Sequence, residues 1–236
     1  MKVLIVDDEP LARRELRRLL SAFPSVSVVG EAADIDEAHE RIAASHPTLV
    51  FLDVQMPGGT GFDLLERLDC PPQVVFTTAY DRYAVQAFEV NALDYLLKPI
   101  EPDRMGVALE KARKATLNTV LGPTGESWLA QIFVRDGPRC WFVPVNEISL
   151  FSAEGNYVRI HWGQARPLLN RSLAAIEARL DTHGFFRANR QQILNLEFVQ
   201  NVEVGLGGRL HVELRDGTEV EVSRRQARLF RNRSTV

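Results

Sequence analysis

The hydrophobic texture of the chain changes halfway along. The first half carries unbroken apolar runs at Val3-Leu4-Ile5-Val6, Leu49-Val50-Phe51-Leu52 and Val74-Val75-Phe76, and two more strand-like runs, Val26 to Val29 and Leu93 to Leu97, each interrupted by one polar residue. Runs of this length without polar alternation predict strands buried on both faces, as parallel sheets require. Helical patterns separate them. Pro10 suits a first helical turn, and Leu11, Leu16, Leu19 and Leu20 form its apolar stripe. Further helices are predicted from Ile35 to about Ala44, over Phe62, Leu64, Leu65 and Leu68, around Tyr83 to Val90, and from Asp103 to Ala115. Strands alternating with helices in this way predict an α/β doubly wound parallel five-stranded sheet, strand order 2-1-3-4-5.

From about residue 131 the segments become short and alternating. Ile132-Phe133-Val134, Cys140-Trp141-Phe142-Val143, Ile148 to Phe151 and Tyr157 to Trp162 read as strands, with turns at Asp136-Gly137-Pro138, Glu154-Gly155-Asn156 and Gly163. Ser172 caps one clear helix through Leu180, in which Leu173, Ile176 and Leu180 are the buried positions. Later strands are predicted over Phe198 to Val204, Arg209 to Leu214 and Glu219 to Val222, the last two joined by Asp216-Gly217. This half is a mostly β domain. Between the halves, Gly122-Pro123-Thr124-Gly125 breaks any continuing helix. The expected division is a domain over 1–115, a linker over 116–130 and a second domain over 131–236.

Charge supports that division. The 236 residues sum to a net charge of −3, but residues 1–115 hold 13 Lys+Arg against 19 Asp+Glu, and residues 116–236 hold 15 against 12. An acidic half joined to a mildly basic one suggests different partners. All 15 cations of the second half are Arg, the residue suited to phosphate and base-edge contacts. The cysteines, Cys70 and Cys140, are far apart, which argues against a disulfide framework or a zinc site and fits a reducing cytoplasm. No stretch approaches the roughly 18 apolar residues of a membrane span.

The chemistry of the first half lies at its strand ends. The first strand stops at Asp7-Asp8, the third at Asp53, the fourth at Thr78 and the fifth at Lys98. With strands one and three adjacent, three carboxylates converge at the switch point of the sheet. Such like charges need a cation, and an all-oxygen donor set suits Mg2+. A carboxylate beside Mg2+, a hydroxyl and an ammonium group is arranged to accept a phosphoryl group.

On Asp7-Asp8, Asp53 in its Asp-x-x-Met-Pro setting, Thr78-Ala79 and Lys98-Pro99, the first half resembles a response-regulator receiver domain. The resemblance implies Asp53 as phosphoacceptor. Asp7, Asp8 and Asp53 would ligate Mg2+ together with the main-chain carbonyl of Gln55. Thr78 and Lys98 would contact the phosphoryl group, Tyr95 would be the aromatic switch partner of Thr78, and the Lys98-Pro99 bond would be cis. An aspartyl-phosphate hydrolase of the haloacid dehalogenase type also places an Asp after a strand, but it needs a second acid two residues later, where this chain has Gln55. No autonomous enzyme activity is expected.

The second half resembles the LytTR DNA-binding domain, on Val145 to Ile148, Glu154 to Val158, Arg171-Ser172-Leu173, Phe185-Phe186-Arg187, Ile193-Leu194-Asn195 and Val222 to Arg225. Domains of this type insert loops into DNA grooves. The resemblance implies contacts from Asn156, Tyr157, Arg187, Asn189, Arg190, Arg224 and Arg225, and a structural role for Asn195. Asn189 and Gln191 depart from the usual His and Ser of this motif, which bears on the DNA sequence preferred. Together the resemblances imply a LytTR-type (LytR/AlgR) two-component response regulator. A histidine kinase would phosphorylate Asp53. The chain would then form a homodimer through the predicted fourth helix, fifth strand and fifth helix and bind double-stranded promoter DNA. The alternatives are a phosphorylation-independent regulator whose receiver is a docking module, and an RNA-directed second domain, which lacks interleaved aromatic stacking positions.

Overall fold

A computed structural model describes residues 1–68, 71–79, 92–117, 130–136 and 139–233. The chain divides into two compact units, one of Met1–Val120 with Gln131–Phe142, the other of Leu121–Ala130 with Val143–Val236. The helix expected around Tyr83 to Val90 and most of the expected linker lie outside the described residues.

The first unit holds β1 (Lys2–Val6), β2 (Ser27–Ala32), β3 (Leu49–Asp53), the short β4 (Gln55–Met56) and β5 (Gly59–Thr60), β6 (Gln73–Thr78) and β7 (Asp94–Leu97). Its helices are α1 (Pro10–Leu20), α2 (Ile35–Ser45), α3 (Gly61–Arg67) and α4 (Pro102–Leu117). The parallel sheet runs β2-β1-β3-β6-β7, which is the doubly wound order expected, with β4 and β5 as a small added ribbon. Alternate residues of each apolar run enter different cores. Leu4, Val6, Val50 and Leu52 pack with α2 and α3, while Val3, Ile5, Leu49 and Phe51 pack with α1 and α4. That double burial is why the runs show no polar alternation.

Local signals start and stop these helices. Asp34 caps α2 by accepting from Glu37 N at 2.8 Å, and Glu37 returns a bond from Ala33 N at 3.0 Å. Thr60 and Asp63 form a capping box on α3. α1 begins at Pro10 and ends with Arg17 and Arg18, cations placed at the negative end of the helix dipole. Leu11 departs from the expected stripe. It is 75% exposed, because the face of α1 turned to the core begins at Leu16.

The hairpin β8 (Gln131–Asp136) and β9 (Arg139–Pro144) is a two-stranded sheet by itself, and its residues up to Phe142 group with the first unit. The second unit contains β10 (Ile148–Glu154), β11 (Tyr157–Trp162), β12 (Leu168–Leu169), α5 (Leu173–Glu177), β13 (Phe185–Arg187) and β14 (Gln192–Asn195). These strands form a sheet in the order β12-β11-β10-β14-β13. A second sheet joins β15 (Val199–Val204), β16 (Leu210–Leu214) and β17 (Glu219–Val222), and α6 (Arg224–Arg233) follows. The core packs Leu150, Phe186 and Leu194 against Val212, Val220, Ala227 and Phe230, with Phe186 and Phe230 edge to face at 5.0 Å. Ser172 caps α5 through Ala175 N at 3.1 Å, as expected, although α5 stops at Glu177. Among the described residues no helix is long and apolar enough to cross a membrane.

Candidate phosphoacceptor site and nucleic-acid interface

β1 and β3 are neighbours in register, so their carboxyl ends deliver Asp7, Asp8 and Asp53 to one place. Ligand oxygens from all three lie within 4.8 Å of one another. Asp7 is fully buried and Asp53 nearly so. Lys98, from the end of β7, points its Nζ between them, 2.7 Å from Asp7 Oδ2 and 2.8 Å from Asp53 Oδ2. The cis Lys98-Pro99 bond follows immediately, as expected. Lys98 N also donates to Thr78 O at 2.9 Å, tying the ends of β6 and β7 together behind the site.

Burial pushes the Asp7 carboxyl above its ordinary range in spite of Lys98. Burial alone would lower the Lys98 ammonium, but its bonds to Asp53 and Asp7 outweigh that and hold it above its ordinary range. The main chain shapes the rest. Glu9 N donates to Asp7 Oδ1 at 3.0 Å, and Gln55 N to Asp53 Oδ1 at 3.3 Å. Arg13 Nη1 donates to the carbonyls of Asp7 and Asp8 at 2.7 and 3.2 Å, fixing the loop that follows β1. After Asp53 the chain must fold back tightly, and a Cβ at Gly61 would stand 2.6 Å from Asp53 O, so only glycine fits there.

The donor set is all oxygen, anionic and clustered, which fits a hard divalent cation at Asp7, Asp8 and Asp53. Gln55 is exposed just beyond them on β4. Thr78 is buried at the end of β6. Tyr95 is also buried, its ring in the apolar cluster with Phe76, Phe62 and Met56, so it already lies inward. Arg13, which sequence reasoning did not single out, is visible only once α1 is folded back against the loop after β1.

In the second unit the expected DNA-contact segments converge through backbone bonds. β10 and β11 form a hairpin with Asn156 and Tyr157 exposed at its tip. Ala153 N, near that tip, donates to Gln191 O at 2.7 Å. Ser223 N, just before α6, donates to Ala188 O at 3.0 Å. The tip, the 188–191 loop and the start of α6 therefore share one end of the unit. Arg190, Arg224 and Arg225 are exposed there, and among the described residues none of the three pairs with a carboxylate. Two cations opening a helix with no acid in its first turn oppose the helix dipole, an arrangement that a bound anion relieves.

Two other expected contacts are engaged inside the fold. Arg187 donates from Nε to Asn189 O and from Nη2 to Arg190 O, both at 2.6 Å, and from Nη1 to Glu177 Oε2 at 2.7 Å. Asn189 Nδ2 donates to Gln192 Oε1 and Glu221 O, both at 2.8 Å, and its Oδ1 accepts from Gln191 N. Asn195 is buried and donates to Ile148 O at 2.9 Å while accepting from Glu197 N at 3.0 Å.

Residues 3–110 match the model of the response regulator receiver domain, and residues 139–234 that of the LytTr DNA-binding domain. The chain is 38% identical to the sensory transduction protein LytT of Enterococcus faecalis, over 99% of this chain and 98% of that protein. It is 33% identical to LytT of Bacillus subtilis, over 97% and 96%. It is 36% identical to the transcriptional regulatory protein BtsR of Salmonella typhi, over 95% of each.

Proposed function

The chain belongs to the response regulators that join a receiver domain to a LytTr DNA-binding domain, a non-enzymatic family type, and from that premise we propose that it is a transcription factor switched by phosphorylation of Asp53. The observation that carries the reading is the cluster of Asp7, Asp8 and Asp53 oxygens around Lys98 Nζ. Asp53 Oδ attacks the phosphorus of a kinase phosphohistidine; the P–N bond breaks as the P–O bond forms, and the histidine keeps the departing electron pair. Lys98 holds position beside the oxygen that receives the group, and Thr78 stands at the next strand end. Asp7, Asp8 and Asp53, with the carbonyl of Gln55, would hold Mg2+, which when bound neutralises charge on the transferring phosphoryl group. The kinase and the regulator would meet in the cytoplasm.

The acyl phosphate adds charge and acceptor oxygens that Thr78 and Lys98 engage. With Tyr95 already inward, the motion left to Thr78 reshapes the neighbouring face of β7 and α4. Leu97 and Val107 are exposed apolar residues of β7 and α4, 43% and 46% exposed, and they supply the apolar part of a homodimer face. The rest of the expected face, the helix around Tyr83 to Val90, lies outside the described residues. Pairing two receivers brings two DNA-binding units to adjacent half-sites, each contributing Asn156, Tyr157, Arg190, Arg224 and Arg225 to duplex DNA.

The test is binding to a pool of promoter fragments over a salt series, with and without acetyl phosphate and Mg2+, for the parent protein and Asp53→Asn. Sequence-specific binding that the donor strengthens only in the parent supports the reading. Specific binding indifferent to the donor moves the receiver to a docking role, and no specific binding removes the transcription-factor assignment.

A further inference from the structure

The hairpin β8–β9 straddles the start of the second family match: β8 precedes it and β9 lies inside it. The receiver match ends at residue 110 and the LytTr match begins at 139, so β8 belongs to neither. Its packing assigns it. Phe133 and Phe142 are 5% and 2% exposed, with rings 5.2 Å apart, and they join the apolar cluster that contains Phe62, Leu65 and Leu68 of the receiver. Charge complements this contact. Arg135 Nη1 donates to Asp63 Oδ1 at 2.7 Å and lies 3.7 Å from Glu66 Oε2, both on α3. The other oxygen of Asp63 accepts from Thr60 N and Oγ1, at 2.7 and 2.8 Å. One carboxylate therefore closes the start of α3 and holds the hairpin.

We propose that the α3 face of the receiver is an intramolecular docking surface whose occupant is Gln131–Phe142, and that the hairpin stays on it whatever the state of Asp53. Two phenyl rings buried in the receiver core make a lasting anchor, unlike the exposed rim contacts that a switch breaks. Phosphorylation acts through the face of β7 and α4, and the hairpin transmits where the receiver is, not whether it is phosphorylated.

Cys140 reports on this contact. It is half-buried against the same cluster, and burial pushes its thiol up to about 11. In a full-length Cys70→Ser protein it is the only thiol, so its iodoacetamide rate reads opening of the hairpin. The expected rate is well below that of the urea-unfolded chain and unchanged by beryllofluoride with Mg2+. Arg135→Gln, which removes a partly exposed ion pair, raises it about two- to fivefold. Phe133→Ala, which empties a core position, raises it about a hundredfold, with circular dichroism checking that the fold survives. Arg135→Lys restores part of the protection. The proposal is overturned by a parent rate equal to that of the unfolded chain, by a more than tenfold rise on adding beryllofluoride, or by Arg135→Gln and Phe133→Ala both leaving the rate unmoved. Beryllofluoride-induced dimerisation, followed in the same samples, tests the function of Asp53 separately.

Discussion

Replacing Lys98 by Met keeps a long unbranched side chain and removes the ammonium that bridges two buried carboxylates. Asp7 has no exposed side-chain surface, Asp53 has 9%, and Lys98 itself has 17%. Removing one partner of a buried pair typically costs about 3–5 kcal/mol, because the charge left behind has lost its compensation and cannot regain water. Here two anions are stranded, but Asp8 is half-buried and leaves the cluster open on one side, which favours the lower end. The expected loss is about 3 kcal/mol near neutral pH without divalent cations, or roughly 10 °C in Tm for the first unit.

Thermal melts by far-UV circular dichroism in EDTA would measure this, and two further arms isolate the cause. Excess Mg2+ should raise Lys98→Met by more degrees than the parent, because the metal replaces the missing positive charge and binds only the folded cluster. In an Asp7→Asn background, Lys98→Met should cost about 2 kcal/mol less, since one of the stranded charges is gone. If Lys98→Met melts with the parent in EDTA, or gains nothing extra from Mg2+, the carboxylates are not jointly ionised around Lys98 and the electrostatic account of the site is wrong.

Other consequences follow at separate places. Asp53→Asn should take up no label from acetyl phosphate with Mg2+ and should not dimerise with beryllofluoride; stoichiometric labelling of that variant would place the acceptor elsewhere. Leu97→Glu with Val107→Glu should leave labelling intact and weaken donor-induced dimerisation about tenfold or more, read by sedimentation. His161 is a pH element of the second unit. Burial first, and then Arg166, hold its imidazole below the ordinary 6.5, so the unfolded chain takes up this proton more readily. Stability should therefore fall as pH drops through 6.5, and His161→Asn should flatten that part of the urea-midpoint profile.

The receiver half was legible because its strands are buried on both faces. A residue such as Asp53, ending five consecutive buried positions, has no reading as a surface strand. The fate of Phe133 and Phe142 was not legible. Ile132, Phe133 and Val134 are consecutive buried residues, as are Phe142 and Val143, so the pattern gives a strand covered on both faces without saying which core each face enters. Leu11 misled for a related reason, since an apolar residue in the first turn fits the helical period whether or not the core reaches that far. α6 carries little apolar signal because, among the described residues, only Ala227 and Phe230 of it enter the core, in a segment dominated by Arg. β13 and β14 span only three and four residues, too short for a periodicity to declare itself.

The arginines of the second half show why a net charge of +3 says little about DNA. Arg159, Arg187 and Arg209 each pair with a glutamate, and Arg166 with Asp216, so much of the positive charge is spent inside the fold. Arg187 and Arg225, both expected from the sequence to meet DNA, are thereby separated by what they touch. Arg187→Gln removes two charge-assisted bonds that close the 187–190 loop and a third that ties it to Glu177, from a side chain 20% exposed. It should cost about 1.5–3 kcal/mol of stability in the second unit. Arg225→Gln, on an exposed side chain, should leave the melt unchanged and lower the slope of log K against log salt by about one. Melts and salt titrations of the two variants, made side by side, separate the roles. A normal melt with a reduced slope for Arg187→Gln would show that its guanidinium leaves Glu177 and the loop carbonyls to bind phosphate, and the division between structural and contacting arginines would then fail.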